Sequence, residues 1–427
     1  MASLLPFTDP AHLQGIPSPY FNETHYALQK EVREFTNQYI VPYVDEWDAK
    51  GEIDPQLYQE FCRRGYLCAI AGQQKYPTEY TDIRIKSVPP NKYDFFHEMI
   101  IVDEISRCGS GGVIWYLVGG INISLPAIFK YAAPEVKRRV IPQILSGSKR
   151  SCLCITEPDA GSDVANLTTE AQKVDGDFIL SGTKKWITNG IFSDYFVVAC
   201  RTGGSGSGGV SLLLADLSID KDAVSRRKIS TQGMRGSGTT LINFDELFVP
   251  DQNVLGTVNQ GFRAVMSKFN HERLIIIVQA LRLCRVVFED CMQWTHQRET
   301  FGTKLINHAV IRQKLGVMAG RIEALQSWVN ELGYQTKILS EEQATLELSG
   351  RIAAAKGFAT QALELCAREG SQIFGGLSYT QGGRGARVER IYREVRAFAI
   401  PGGSEEIMMD LAVRQSIKSA RKRGAKL

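Results

Sequence analysis

Features that would settle the class of this 427-residue chain at a glance are scarce. Net charge is nearly absent: 50 Lys and Arg against 46 Asp and Glu leave +4, too little over this length for the basic surface of a dedicated nucleic-acid binder. Six histidines and nine cysteines form no CxxC and no Cys/His cluster. No zinc site or disulfide framework can be read from them, and a reducing compartment fits best. Long apolar runs are few. The most hydrophobic stretch, 114–129 (IWYLVGGINISLPAIF), is shorter than the ~20 residues of a membrane span and is interrupted by Asn122 and Pro126, so it reads as a buried helix. Compositional bias is missing too: 44% hydrophobic and 22% charged residues, with 39 Gly and 15 Pro, exclude fibrous and disordered classes. At about 100 to 200 residues per domain, the length predicts two or three domains.

What is present changes period along the chain. Up to residue 150 the spacing predicts helices, among them 26–39, 55–65, 95–107 and 134–146. From Ser151 the short segments FILSG, YFVVAC, VSLLLADL and TTLINFDELFVP are rich in β-branched and aromatic residues and separated by turn clusters, which predicts a small antiparallel sheet. After Pro250 the helical period returns. Ile311, Leu315, Met318, Ile322, Leu325, Val329 and Leu332 alternate steps of four and three, the seam of a helix packed lengthwise in a bundle. Phe262, Val265, Phe269, Ile276, Ala280, Cys284, Val287 and Cys291 form a similar stripe on the preceding helix. The expected class is α+β: an N-terminal all-α domain (1–150), a middle antiparallel β domain (151–255) and a C-terminal four-helix bundle (256–427). The Gly-rich stretch 204–209 (GSGSGG) satisfies GxGxxG, but a strand-like segment follows it. No helix N-terminus is there to hold a pyrophosphate, and it reads as a hairpin loop.

Four segments carry the chemistry: CITEPDAGSDVANL (154–167), GTKKWITNG (182–190), RETFGTKLINHAVI (298–311) and QIFGGLSY (372–379). Together they resemble the acyl-CoA dehydrogenase family of FAD enzymes, and the resemblance covers nearly the whole chain. It implies that FAD is held by Cys154, Ile155, Thr156, Gly161, Ser162, Trp186, Ile187 and Thr188. Hydroxyls of Thr156 and Thr188 suit the polar edge of a flavin, and the Trp186 indole suits its face. It also implies that Arg298, Phe301 and His308, with Gln372, Gly375 and Gly376, complete cofactor sites across a subunit interface, hence a homotetramer. Ala309 stands where the family commonly has Gln.

Many family members carry the catalytic base in an IYEGTSQI-like segment. The matching stretch here is IPGGSEEI (400–407), which puts Gly402 in place of that Glu. The isovaleryl-CoA and long-chain branches use a Glu on the first bundle helix instead, and in KFNHERLIII the matching residue is Glu272. Periodicity reaches the same residue: Phe269 lies three positions before it and Ile276 four after, so the carboxylate falls on the stripe facing the bundle interior. A buried Glu must pair, hydrogen-bond or shift its pKa; the competing structural role is an ion pair with Lys268 or with Arg273 of another subunit. By resemblance, Asn270 and Arg273 contact the CoA part of the substrate, Ser162 touches cofactor and substrate, Gly403 approaches the thioester, and Ser404 and Glu406 reach FAD. Ser404 also reads as the N-cap of the last helix. Trp115, Val118, Gly119 and Gly120 are expected near the acyl pocket.

The implied reaction is α,β-dehydrogenation of an acyl-CoA, with electrons passed to an electron-transfer flavoprotein or to oxygen. Two alternatives stand beside it. One is a same-fold flavin oxidase acting on an acyl-CoA or a nitroalkane, the latter disfavoured because its Asp base falls at Gly402. The other is a non-catalytic, degenerate flavoprotein. No metal is expected. The first residues lack the pattern of a secretory or transit peptide, and Ala425, Lys426 and Leu427 match a peroxisomal address; peroxisomal localisation is expected, with the cytoplasm as the alternative. Acyl length and branching are not legible.

Overall fold

The computed structural model describes residues 5–426, without the side chains of Ser267 and Lys268. Leu427 of the expected address and Lys268 as a partner for Glu272 lie outside the described residues. The first third is helical: α1 (Glu23–Tyr39), α2 (Val44–Lys50), α3 (Pro55–Arg63), α4 (Tyr66–Ala69), α5 (Phe95–Ser106), α6 (Gly111–Ile114), α7 (Gly120–Tyr131) and α8 (Pro134–Leu145). Side chains fix where several of these begin. Asn22 and Asp94 each close a capping box with a histidine at the third helical position, His25 for α1 and His97 for α5. His25 Nε2 also lies 2.9 Å from Asp94, so both helix starts lean on one carboxylate. Asp54 caps α3 ahead of Pro55.

The apolar stretch is longer than its sequence suggested. A π-helical turn, Trp115–Gly119, joins α6 to α7 in a 21-residue run, Gly111–Tyr131, long and apolar enough to cross a membrane by length and composition. The share of its apolar window buried inside the protein is 78%, and α7 packs on the first strand of the sheet; core packing accounts for its hydrophobicity.

The sheet comprises β1 (Ser151–Cys154), β2 (Glu170–Val174), β3 (Asp177–Ile187), β4 (Tyr195–Arg201), β5 (Val210–Asp216), β6 (Val224–Lys228) and β7 (Thr240–Val249). Its order is β1-β4-β2-β3-β7-β6, with β5 on β4. The expectation of an antiparallel sheet needs correcting at β4, which runs parallel to β1 and, at one bridge, to β2. Hairpin neighbours must be antiparallel, but β1 and β4 are separated by two strands, and a crossover leaves their direction free. The 204–209 loop does join β4 to β5 as a hairpin, held by Arg201, which donates to the carbonyls of Gly204 and Gly206 at 2.6 and 3.2 Å. Cys152, Cys154, Phe178, Leu180, Ile187, Phe196, Val198, Phe244 and Leu247 share the sheet's core.

The C-terminal part holds α9 (Gly261–Gln297), a small hairpin of β8 (Glu299–Thr300) and β9 (Thr303–Lys304), then α10 (Ala309–Ile338), α11 (Glu341–Phe374), α12 (Ala386–Ala399) and α13 (Glu405–Lys422). The expected seam on α10 is buried from Leu315 to Leu332, and Ile311 is half-buried. Where four helices were expected, the described residues form five. Both α12 and α13 pack on α11, and the break between them contains Gly402 and Gly403 at φ 67° and 102°, a backbone that continues neither helix. Contacts gather Met1–Glu46, Asp94–Gly111 and Arg273–Leu427 into a helical unit, and Trp47–Tyr93 with Gly112–Glu272 into a sheet unit. The helical 1–150 segment contributes to both.

Candidate active site

In the sheet unit, two segments offer polar groups to a ligand from a braced backbone. Thr156 follows β1 and is half-buried, Thr188 follows β3 and is half-buried, and neither hydroxyl makes a hydrogen bond among the described residues. Trp186 is 48% exposed and has φ 59°, in the register shift between Lys184 and Ile187 where β3 leaves β7. A bulky residue in the left-handed region is costly and marks a site where the surroundings force it. Gly161 and Ser162 are exposed, and a Cβ at Gly161 would meet nothing within 4 Å.

Beneath these segments lies an ion pair that the sequence reading missed. Lys184, fully buried, donates to Glu157 at 2.8 Å and to the carbonyl of Ile155 at 2.9 Å. Glu157 also accepts from the backbone N–H groups of Thr168 and Thr169. Burial alone would raise the Glu157 pKa, but the Lys184 charge and the hydrogen bonds outweigh it and hold the carboxyl at about 2. The pair ties the start of the 154–167 segment to β3. The side chains of Cys154 and Ile187, both residues assigned to the cofactor by resemblance, point into the sheet core: Cys154 lies on the face of β1 opposite Leu153, which lines the cleft beside Glu272, and Ile187 turns away from its neighbour Trp186. Burial raises the Cys154 thiol well above its ordinary range. Only their backbone is left to face a ligand.

Glu272 is half-buried and lines a narrow cleft in the sheet unit with Ile123, Ala127, Leu153, Leu212, Ala264, Val265 and Phe269, a cavity of about 10 Å³. Ala264, Val265, Phe269 and Glu272 come from successive turns of α9, and the facing wall is α7, β1 and β5. Among the described residues of the lining, Glu272 is the sole ionisable group and the others are apolar.

The helical unit presents the remaining residues differently. Thr300 pairs with Thr303 across a two-residue turn in which Phe301 and Gly302 have φ 51° and 77°, the pattern of a type I′ turn that favours Asn-Gly. Phe301 occupies the tip and is 99% exposed. His308 Nε2 lies 3.0 Å from the Thr300 hydroxyl, Arg298 is exposed, and at the end of α11 Gln372, Gly375 and Gly376 are exposed as well. A Cβ on either glycine would meet nothing within 4 Å. Phe374 beside them stacks on Trp294, ring centroids 5.7 Å apart.

The segment in place of the usual base is clamped by two cations. Arg273, almost buried, donates from Nε to the Gly402 carbonyl at 2.8 Å. Lys356, fully buried, donates to the carbonyls of Ala399 and Gly403 at 2.6 and 2.7 Å. Arg273, expected at the CoA and considered as a partner for Glu272, thus has a backbone partner in its own chain. Ser404 caps α13 as expected, Glu405 accepts from Thr360 at 2.6 Å, and Glu406 is exposed, its pKa lowered by the backbone N–H of the first turn and the Ser404 hydroxyl. Asn270 is half-buried on α9.

Two free hydroxyls, a half-exposed indole and small residues with open space in front of them suit a flavin. Comparison with known proteins agrees. The N-terminal, middle and C-terminal domain models of acyl-CoA dehydrogenases match residues 22–148, 152–247 and 259–417 in order. An acyl-CoA dehydrogenase of Alternaria alternata is 39% identical over 419 residues, covering 97% of this chain and 96% of its own. Another, from Emericella nidulans, is 38% identical over 424 residues, with 97% and 96% covered. The crystal structure of a probable acyl-CoA dehydrogenase from Mycobacterium abscessus superposes with a TM-score of 0.83 at 30% identity, covering 93% of this chain and 99% of that one. With the segments, the layers and these matches in agreement from one end to the other, the chain belongs to the acyl-CoA dehydrogenase family of FAD-dependent oxidoreductases.

Proposed function

We propose that this protein dehydrogenates an acyl-CoA at its α and β carbons, with Glu272 as the base. The observation that carries the reading is the cleft in the sheet unit, where Glu272 is the one ionisable group among the described residues of an apolar lining while Gly402 stands at the family's other base position. An apolar wall suits an acyl chain, and a carboxylate within it can take the α-proton. FAD, when bound, supplies the acceptor for the β-hydride. Thr156 and Thr188 would bond its polar edge and Trp186 would cover its face, braced by the Lys184–Glu157 pair. Ser162 and Asn270 would orient the thioester, and the lining of the cleft would exclude water. The exposed Arg298, Phe301, Gln372, Gly375 and Gly376 support completion of the cofactor site by a second copy, in a homotetramer. Electrons would leave to an electron-transfer flavoprotein or to oxygen, and Ala425-Lys426-Leu427 supports import into peroxisomes.

Anaerobic titration of the FAD-loaded protein with a panel of acyl-CoAs tests the reading. Bleaching of the flavin by at least one thioester is expected, and a folded, yellow protein that no thioester bleaches would overturn it. Adding air or an electron-transfer flavoprotein to the bleached enzyme identifies the acceptor. A fluorescent protein ending in RKRGAKL should collect in peroxisomes; diffuse fluorescence would remove that localisation.

A further inference from the structure

The π-helical turn Trp115–Gly119 and the turn after β3 meet at one side chain. Asn189 is buried to 2% exposure and held at φ 61°. Its Nδ2 donates to the Trp115 carbonyl at 3.0 Å and to the Ser237 carbonyl at 2.8 Å, and its Oδ1 accepts from the Gly120 N–H at 3.0 Å. Trp115 opens the five-residue π turn and Gly120 is the residue just after it, so the amide clips that turn shut from outside. Three of the four hydrogen-bonding sites on the amide are used. The backbone answers in kind: Asn189 N–H donates to Ser237 and its carbonyl accepts from Phe192 N–H.

The fit is close enough to exclude a methyl group. A Cβ on Gly119 would stand 2.9 Å from Thr188 Cγ2, and one on Gly120 would stand 2.6 Å from Asn189 Oδ1. The glycine pair therefore lets the π turn lie directly against Thr188-Asn189. One turn further along, Ile123 and Ala127 of α7 form part of the wall of the Glu272 cleft. π turns are costly irregularities that persist where a site needs them, and a side chain bonded across a helical ladder is a recognised cause of a local distortion.

From this juxtaposition we infer that Asn189 is a positioning residue: through the π turn, it fixes the distance between the turn carrying Trp186 and Thr188 and the α7 wall of the acyl cleft. The inference rests on the proposed reading of the site. Reaction rates respond steeply to such distances, about 10²-fold for a misplacement of ~1 Å.

Two variants test it. Asn189→Ala removes the clip; the FAD-loaded, folded fraction should reduce its flavin about 10- to 100-fold more slowly than wild type, with a raised FAD dissociation constant measured on the apoprotein. Gly119→Ala drives a methyl against Thr188 and should weaken FAD binding and shift the visible spectrum of the bound flavin. Thr188→Ser, which removes the opposing Cγ2 but keeps the hydroxyl, should restore most of both when combined with it, the contact that stays being Trp115 Cβ at 3.1 Å. A purely structural Asn189 would lower the unfolding temperature while leaving rate and FAD affinity per folded molecule unchanged, and that result overturns the inference. Where Asn189→Ala does not fold, the Gly119 pair decides: failure of Thr188→Ser to rescue overturns it. FAD affinity and spectrum need no substrate, so a wild-type enzyme that no acyl-CoA reduces would defeat the proposed function while this arm still reports on Asn189.

Discussion

The two units hold the residues that the family resemblance assigns to the cofactor in opposite ways. In the sheet unit the presenting groups rest on buried supports: Lys184 and Glu157 lie under Thr156, and Asn189 fixes the turn beside Thr188. In the helical unit Arg298, Phe301, Gln372, Gly375 and Gly376 are all exposed, and the tip of the hairpin is a phenylalanine in a conformation that favours asparagine or glycine. The difference sets a motif braced within the chain apart from one that stands exposed, and the exposed one is what the proposed completion by a second copy would use. Strain carried at a fully exposed apolar tip has no use inside the chain; it makes sense if another surface receives that tip.

The largest effect should come from the sheet unit's cleft. Glu272→Gln keeps volume and hydrogen-bonding capacity but cannot take a proton, so the rate of flavin reduction should fall roughly 10² to 10⁴-fold in stopped-flow measurements. FAD content and thermal unfolding should hardly move. If the rate is unchanged, Glu272 is not the base, and the apolar lining has another purpose.

Breaking the support beneath Thr156 is next. Lys184→Met leaves Glu157 buried without its cation, which should cost about 3 to 5 kcal/mol in denaturant titrations. The sign with pH follows from Glu157, whose pKa drops from 4.5 to about 2 on folding. A depressed folded value means that its contribution is present above pH 4.5 and is lost as pH falls towards 2. The stability gap between wild type and Glu157→Gln should therefore narrow across that window. A constant gap would show that the pair acts through packing alone.

These supports also mark the limit of what the sequence disclosed. The α10 seam was legible because its period belongs to one helix; the local spacing of Glu272 from Phe269 and Ile276 was expected to turn the carboxylate to the bundle interior, but it lines a cleft walled by α7, β1 and β5. Lys184 sits beside Lys185, and only strand alternation decides which of the two is buried. The clip on the π turn joins residues 69 positions apart, and β1 finds β4 across two intervening strands. Such pairings depend on tertiary context that no window of sequence contains. Cys154 and Ile187 were assigned to the cofactor by motif, which does not say that their side chains turn into the core and leave only backbone for that role.

Arg273 sharpens the comparison because the motif assigns it to substrate while the structure gives it a backbone partner. If it holds the Gly402 carbonyl throughout, Arg273→Ala should lower stability by roughly 1.5 to 3 kcal/mol, the scale of a hydrogen bond to a charged group, and raise KM for acyl-CoA only through the disturbed loop. If instead the guanidinium leaves Gly402 for the CoA phosphates, stability should change little and KM should rise with kcat nearly constant, the sign of lost ground-state binding.

The smallest change tests the exposed tip. Phe301 has φ 51° and Gly302 φ 77°, so Phe301→Gly removes a side chain that contributes almost no burial within the chain and relieves a conformation costing a non-glycine residue about 1 to 2 kcal/mol. Part of that gain is offset by the greater freedom of glycine in the unfolded chain. Taken alone, the chain should be unchanged or stabilised by up to about 1 kcal/mol. If the tip is received by a second copy, the same substitution should reduce assembly and FAD retention, seen by light scattering and by flavin absorbance after gel filtration. A Phe301→Gly protein that is as assembled and as yellow as wild type would break the contrast between the units, because the exposed motif would then need no partner to explain it.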